Sequence, residues 1–146
     1  MITLLLALGL VVAPPVLQVQ DVHVVEVVQA AETIDWTPAL LETLARTTAQ
    51  KYGVNEYALV ETLRCESMGF TWNDQSLVPD AKGPRGREDS WGIGQFNMPS
   101  DLKTADGREI TKEIALDQPE AIDAAGYNFS IGKASRWSCY NALSRP

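Results

Sequence analysis

The sequence predicts an α+β domain that is mostly helical, with a small β/loop lobe over a cleft. Two observations lead to this fold class. Capped segments with helical apolar spacing occupy residues 37–67 and 111–143, whereas the stretch between them is rich in glycine and proline and holds only short apolar pieces. The chain has 146 residues, of which 45% are hydrophobic and 21% charged, so one compact globular domain is expected.

Residues 1–31 are predicted to be a signal peptide or N-terminal export segment, which leaves 32–146 as the domain. The run Met1–Leu17 carries no charge, and small residues at Ala30-Ala31 resemble a cleavage site. A positively charged start is missing, so an uncleaved membrane anchor or a poorly paired strand stays an alternative. Pro14-Pro15 interrupts the apolar run short of the roughly 20 residues that a spanning helix needs. We assign no role to His23.

Two capped helices are predicted at the start of the domain. Thr37 followed by Pro38 is a typical helix start, and Gly53 ends the helix. Asn55 caps a second helix, which runs from Glu56 to about Ser67.

Residues 69–110 are predicted to form loops around a small irregular hairpin. Three helices are expected after them. They cover Thr111 to Leu116, Asp117 to about Phe129, and about Ala134 to Leu143.

The two cysteines, Cys65 and Cys139, are predicted to form a disulfide that ties the second helix to the last one. An exported chain with an even cysteine count favours this pairing. A loop of that length would contribute about 3–5 kcal/mol. The alternative is two buried thiols. The spacing excludes a zinc knuckle and a CxxC redox pair, and neither a metal nor a cofactor is expected.

The charge balance disfavours a nucleic-acid partner. The formal net charge is -7, and the 12 lysines and arginines are spread along the chain rather than gathered in a basic stripe. Binding to phosphates would require clustered positive charge. We expect a monomer that contacts a membrane only through its N-terminal segment.

Glu66 is the candidate catalytic residue. Helical spacing places it on the same face as Leu59 and Leu63, at the C-terminus of the second helix. Burial and the negative end of the helix dipole both favour the protonated carboxyl group, which is what a general acid requires. The alternative is a structural carboxylate that pairs with an arginine or caps a neighbouring element.

Local motifs supply a more specific indication. The chain contains Ala58-Leu-Val-Glu-Thr-Leu-Arg-Cys-Glu66-Ser67, then Ser76, then Ser90-Trp-Gly92-Ile-Gly-Gln95-Phe-Asn, and finally Trp137-Ser-Cys-Tyr140-Asn141-Ala142. In order and spacing, this set resembles the soluble lytic transglycosylase family of lysozyme-like enzymes, over about residues 37–143. The segment between Ser76 and Gly92 is longer than in that family, so 77–89 is read as a lengthened hairpin loop. Ile93-Gly94-Gln95 replaces the family's Leu-Met-Gln, and Leu143 replaces its final glycine.

The resemblance implies a lysozyme-like fold and a peptidoglycan substrate. Glu66 would cleave the β-1,4 bond from N-acetylmuramic acid to N-acetylglucosamine, alternately as acid and base, and would leave a 1,6-anhydro end. Two alternatives remain within this fold: a hydrolytic muramidase with a second carboxylate, and an inactive peptidoglycan-binding module. A helical interaction protein with accidental motif matches is a further alternative.

Several residues are candidates for the substrate contacts or for the second carboxylate. The predicted substrate-binding residues are Ser76, Ser90, Gln95, Asn97, Tyr127 and Tyr140. Turn capping by the serines, a loop contact for Gln95 and core packing for Tyr127 are the alternatives, and Trp91 and Trp137 are expected in the core. The possible second carboxylates are Asp74, Asp80, Glu88 and Asp89. For Glu88 and Asp89 we expect surface pairs with Arg85 and Arg87.

Overall fold

The structure, a computed structural model, describes residues 34–145, and these residues form an α+β domain with a single small sheet. The predicted export segment lies outside the described residues. Within residues 34–145, none of the helices is both long enough and apolar enough to cross a membrane.

Two predicted helices are confirmed at the start of the domain. Helix α1 spans Pro38–Tyr52, where the Thr37 side chain accepts a hydrogen bond from the Leu40 amide and Gly53 ends the helix at φ 65°. Helix α2 spans Glu56–Glu66 and is capped by the Asn55 side chain, which accepts from the Ala58 amide. Glu66 is therefore the last residue of α2.

The β/loop lobe is built on one short hairpin. Strand β1 (Ser90–Trp91) pairs antiparallel with strand β2 (Phe96–Asn97). Before it, an isolated bridge joins Pro79 to Arg87 around a 3-10 turn over Pro84–Gly86. The predicted lengthened loop is thus a second, looser hairpin beside the first.

The C-terminal part confirms two of three predicted helices and corrects the third. Helix α3 spans Lys112–Leu116 and α4 spans Gln118–Ser130. The expected single helix from Ala134 to Leu143 is instead a 3-10 turn over Ala134–Arg136 followed by helix α5, Ser138–Leu143. Trp137 between them is extended, at φ -97° and ψ 130°.

The break at Trp137 has a tertiary cause. The indole is 3% exposed, and its Nε1–H donates to the Gly94 carbonyl at 2.7 Å. Burying this large ring and satisfying its donor outweigh continuation of a short helix. The break turns the start of α5 towards α2.

The core lies where α1, α2 and α4 pack together. Leu41, Leu59, Leu63 and Ile122 are fully buried there. Gly126 lets α4 approach α1, because a Cβ at this position would lie 2.3 Å from Thr48 Cγ2. This packed helical layer fixes the C-terminal end of α2, which carries Glu66.

The predicted disulfide is present, with Cys65 and Cys139 joined and their Cα atoms 6.0 Å apart. It connects the last turn of α2 to the first turn of α5. Disulfides persist in oxidising compartments, so the bridge is consistent with the predicted export.

Candidate active site

A groove of about 500 Å³ runs past the C-terminal end of α2, between the β/loop lobe and the start of α5. Its size lies within the range of roughly 300–1,000 Å³ typical of ligand sites. Glu66 lies in its wall, together with Ser138 and Cys139 from α5.

The Glu66 carboxyl group is half-buried and held on one side only. Its Oε1 atom accepts hydrogen bonds from the Cys139 amide at 3.0 Å and from the Ser138 hydroxyl at 3.2 Å. Among the described residues, neither an ion pair of Glu66 nor a hydrogen-bond partner of its Oε2 is found. Because Oε1 is already occupied as an acceptor, Oε2 is the oxygen suited to carry a proton.

The pKa of Glu66 is raised above the ordinary value for glutamate. Burial is the main cause, and the hydrogen bonds from Cys139 and Ser138 partly oppose it. The negative charge of Glu88 adds to the increase. The sequence left two structural alternatives open for Glu66. No arginine among the described residues pairs with it, since Arg136 in the same groove pairs with Asp101 at 2.5 Å. The other alternative is present: Glu66 accepts from the Ser138 hydroxyl and the Cys139 amide at the start of α5 and so caps this neighbouring helix.

This raised pKa predicts that Glu66→Gln stabilises the fold at neutral pH. The carboxyl group is neutral in both states at acidic pH, and its ionisation costs stability as pH rises through the raised folded-state pKa. Glutamine stays neutral. The variant should therefore unfold at higher urea concentration than wild type at pH 7 and at the same concentration below about pH 4. If the variant and wild type had the same urea midpoint at pH 7 as well as at acidic pH, the raised pKa of Glu66 would be contradicted.

Glu88 is a second carboxylate in the groove, and the expected surface pairing of Glu88 and Asp89 with Arg85 and Arg87 is wrong. Glu88 is half-buried, and it accepts hydrogen bonds from the Ser76 hydroxyl at 3.4 Å and from the Asn97 amide at 3.3 Å.

Two of the neighbouring charged residues, Arg85 and Asp89, are engaged elsewhere. Arg85 pairs with Asp74 at 3.2 Å, and Asp89 accepts from the Trp91 indole at 2.5 Å. Glu88 is therefore left facing the groove rather than neutralised at the surface.

Gln75 positions this segment, and sequence analysis missed it. The side chain is fully buried, and its Nε2 donates to the Pro84 carbonyl at 2.6 Å and to the Glu88 carbonyl at 3.2 Å. Its Oε1 accepts from Arg85 at 2.6 Å. A single amide between two loops has no periodic signal in the sequence, because its partners lie about ten residues away.

Four of the six predicted substrate-binding residues line the groove: Ser76, Ser90, Gln95 and Asn97. Asn97 donates to the Ser90 hydroxyl at 3.2 Å, which joins the two strands of the hairpin. The Gln95 amide nitrogen donates to the carbonyls of Gly92 and Asp74 at 2.7 and 3.1 Å. The loop contact that was the alternative role for Gln95 is thus present, and it uses the side-chain nitrogen. The side-chain oxygen has no hydrogen-bond partner among the described residues and can accept from a ligand.

The two predicted tyrosines are not among the groove-lining residues. The ring of Tyr127 packs edge-on against Tyr52, with centroids 6.1 Å apart, and Tyr140 packs in the same way on Phe129 at 5.5 Å. Both tyrosine rings are therefore used in packing against other aromatic rings. For Tyr127, core packing was the alternative to substrate binding that the sequence left open. Trp91, expected in the core, is buried there.

No family model, curated protein or solved structure matches the chain. The functional assignment therefore depends on the groove itself and on the order of the motifs along the sequence.

One side of the groove is apolar and exposed. Met68 and Val78 are 56% and 57% exposed, and Leu77 lies beside Val78 in the chain. Sequence analysis did not single out these residues. Together with the polar hairpin side chains, they give the groove one apolar and one hydrogen-bonding wall, which suits a sugar ring with its apolar face and its hydroxyl groups.

The charges of the groove are mostly negative. Among the described residues, three carboxylates line it, from Glu66, Glu88 and Asp101, and the one cation that lines it, Arg136, pairs with Asp101. Such a groove disfavours a strongly anionic ligand. Among residues 34–145, no group of three or more potential metal-ligating side chains converges.

Proposed function

We propose that this protein is a peptidoglycan lytic transglycosylase with a lysozyme-like fold, in which Glu66 is the only acid/base residue. The observation that carries the proposal is a half-buried carboxyl group with a raised pKa in the wall of a saccharide-sized groove, without a cationic partner among the described residues. The motif order from Glu66-Ser67 to Tyr140-Asn141-Ala142 supports the same assignment.

The proposed reaction proceeds in two steps at Glu66. Its protonated carboxyl group donates the proton to the glycosidic oxygen as the bond from C1 of N-acetylmuramic acid breaks, while the sugar's own N-acetyl group stabilises C1. The resulting carboxylate then takes the proton of the C6 hydroxyl, whose oxygen attacks C1. The products are a 1,6-anhydro end and a free 4-hydroxyl group on N-acetylglucosamine. Water is not consumed.

The groove offers contacts for a neutral glycan strand. The Oε1 of Gln95, which has no hydrogen-bond partner among the described residues, and the exposed Asn97 amide suit sugar hydroxyl and N-acetyl groups. The hydroxyls of Ser76 and Ser90 are buried and hold the loops on this side of the groove. The apolar side suits ring faces and acetyl methyl groups. Since the substrate is bacterial wall, we propose that the protein acts after export, in the periplasm, the wall or the medium.

Product analysis tests the proposed reaction. Digestion of purified peptidoglycan should release soluble muropeptides with anhydro ends, which are about one water lighter by mass spectrometry than hydrolytic products. Release of reducing ends would contradict the transglycosylase reaction while leaving glycan cleavage in place. Intact wall after digestion would contradict both.

A hydrolytic muramidase is the second candidate, and the position of Glu88 favours it. Most glycosidases that hydrolyse their substrates use two carboxyl groups, about 5–5.5 Å apart in retaining and about 6.5–9.5 Å apart in inverting enzymes. Glu88 lines the same groove as Glu66 and is close enough to raise its pKa.

Glu88→Gln distinguishes the two candidates. If Glu88 activates water or acts as the nucleophile, the variant should lose about 10²-fold or more of its activity. If Glu66 acts alone, anhydro products persist. The alkaline limb of the pH–rate profile then moves to lower pH, because removing the Glu88 charge lowers the pKa of Glu66.

Asp80→Asn is the matched control for Glu88→Gln, since Asp80 is an exposed carboxylate of the same loop and is not among the groove-lining residues. It should leave both the products and the profile unchanged. An unshifted alkaline limb in Glu88→Gln would contradict the proposed influence of Glu88 on Glu66.

A further inference from the structure

The segment that completes the wall around Glu66 has little packing of its own. Helix α5 has six residues, and none of them is fully buried. Isolated helices shorter than about 12–15 residues are marginal in water, so something other than helix propensity must hold it.

Helix α5 lies along α2, and Tyr140 packs against the core at Phe129. Its other attachments after the buried Trp137 are the hydrogen bonds to Glu66 Oε1 and the disulfide between Cys139 and Cys65. The disulfide is the covalent attachment among these. It joins Cys65, the residue before Glu66, to Cys139, whose amide donates to Glu66.

We propose that the Cys65–Cys139 disulfide is the positioning element of this site, and that the groove around Glu66 is complete only when the bridge is closed. In the dithiol chain, α5 leaves α2, Ser138 and Cys139 no longer cover the carboxyl group, and Glu66 is opened to water. If the proposed function holds, the reduced enzyme is latent and becomes active on oxidation, which would confine wall cleavage to an oxidising compartment.

The expected change at Glu66 follows from the groups around it. Helix α5 covers Glu66, and Ser138 and Cys139 of this helix donate hydrogen bonds to it. The negative charge of Glu88 acts on Glu66 across the groove. The same groove is also lined by Arg136 and Asp101. Burial is the largest influence on its pKa. Loss of the α5 cover should therefore lower this pKa towards the ordinary value. Loss of the two hydrogen bonds would raise the pKa, but this is the smaller effect.

The test compares the oxidised protein with the protein reduced by dithiothreitol. Reduction breaks the Sγ–Sγ bond and delivers two electrons and two protons to the two thiols, while the reagent becomes its cyclic disulfide. Hydrogen exchange of residues 138–145 should accelerate by about tenfold or more, with the amides of α1 unchanged.

Carbon NMR of the labelled Glu66 carboxyl group should show a lower pKa in the reduced protein than in the oxidised one. The double variant Cys65→Ser/Cys139→Ser should reproduce both changes, and reoxidation of wild type should reverse them.

Ser138→Ala with the bridge intact gives the opposite sign, since it removes only a hydrogen bond that lowers the pKa of Glu66. If the bridge served general stability alone, reduction would leave the pKa of Glu66 unchanged. Unchanged exchange and an unchanged pKa on reduction would overturn the proposal, as would global unfolding of the reduced chain. These readouts do not need turnover. If the oxidised protein released no muropeptides, the proposed function would therefore fail while the positioning role could still be judged.

Discussion

Glu66→Gln should reduce the release of soluble muropeptides from purified wall by about 10²–10⁴-fold, the usual contribution of a general acid. Glutamine has nearly the same shape, and its Oε1 can still accept from the Cys139 amide and the Ser138 hydroxyl. The variant lacks only the transferable proton and the conjugate base. The measurement is chromatography of soluble products over time, at equal protein concentrations.

Glu61→Gln is the matched control, because Glu61 lies on the same helix but pairs with Arg64 away from the groove. It should keep wild-type activity. Sedimentation with insoluble wall separates binding from cleavage: Glu66→Gln should still sediment with the wall. Undiminished cleavage by Glu66→Gln would refute the single-acid reaction, and a wild type that binds without cleaving would point to the inactive binding module.

Features that depend on neighbouring residues in the sequence were predictable. The starts of α1 and α2 follow from Thr37-Pro38 and Asn55, and the observed caps use these side chains. The position of Glu66 at the end of α2 follows from its spacing to Leu59 and Leu63. Helix caps and helix faces are set within one or two turns of chain, so the sequence carries them directly.

Features that depend on distant contacts were not predictable. The break of the last predicted helix at Trp137 requires the Gly94 carbonyl, which lies 43 residues earlier. The placement of Glu88 in the groove requires the buried Gln75 amide to hold the turn before it. Local propensity favours a continuous helix in the first case and a surface ion pair in the second, and tertiary contacts override both.

Gly92→Ala should destabilise the fold by about 3 kcal/mol or more, which is a large part of the roughly 5–15 kcal/mol that holds a domain together. Gly92 follows β1 at φ 76°, and a Cβ there would lie 1.6 Å from the Ala115 carbonyl oxygen of α3. Backbone atoms cannot yield as a flexible side chain can. The hairpin or α3 must therefore shift, and the position of Ser90 and Asn97 in the groove shifts with it. Urea unfolding measures the loss, and muropeptide release should fall as well.

Gly107→Ala isolates the steric clash from the backbone strain. Gly107 has a similar φ of 86°, but a Cβ there would meet nothing within 4 Å. This control should cost only the strain of a left-handed alanine, about 1–2 kcal/mol. If Gly92→Ala lowered the free energy of unfolding no more than Gly107→Ala does, the hairpin would not lie in close contact with α3. The hairpin wall of the groove would then be able to move independently of the helical layer that fixes Glu66.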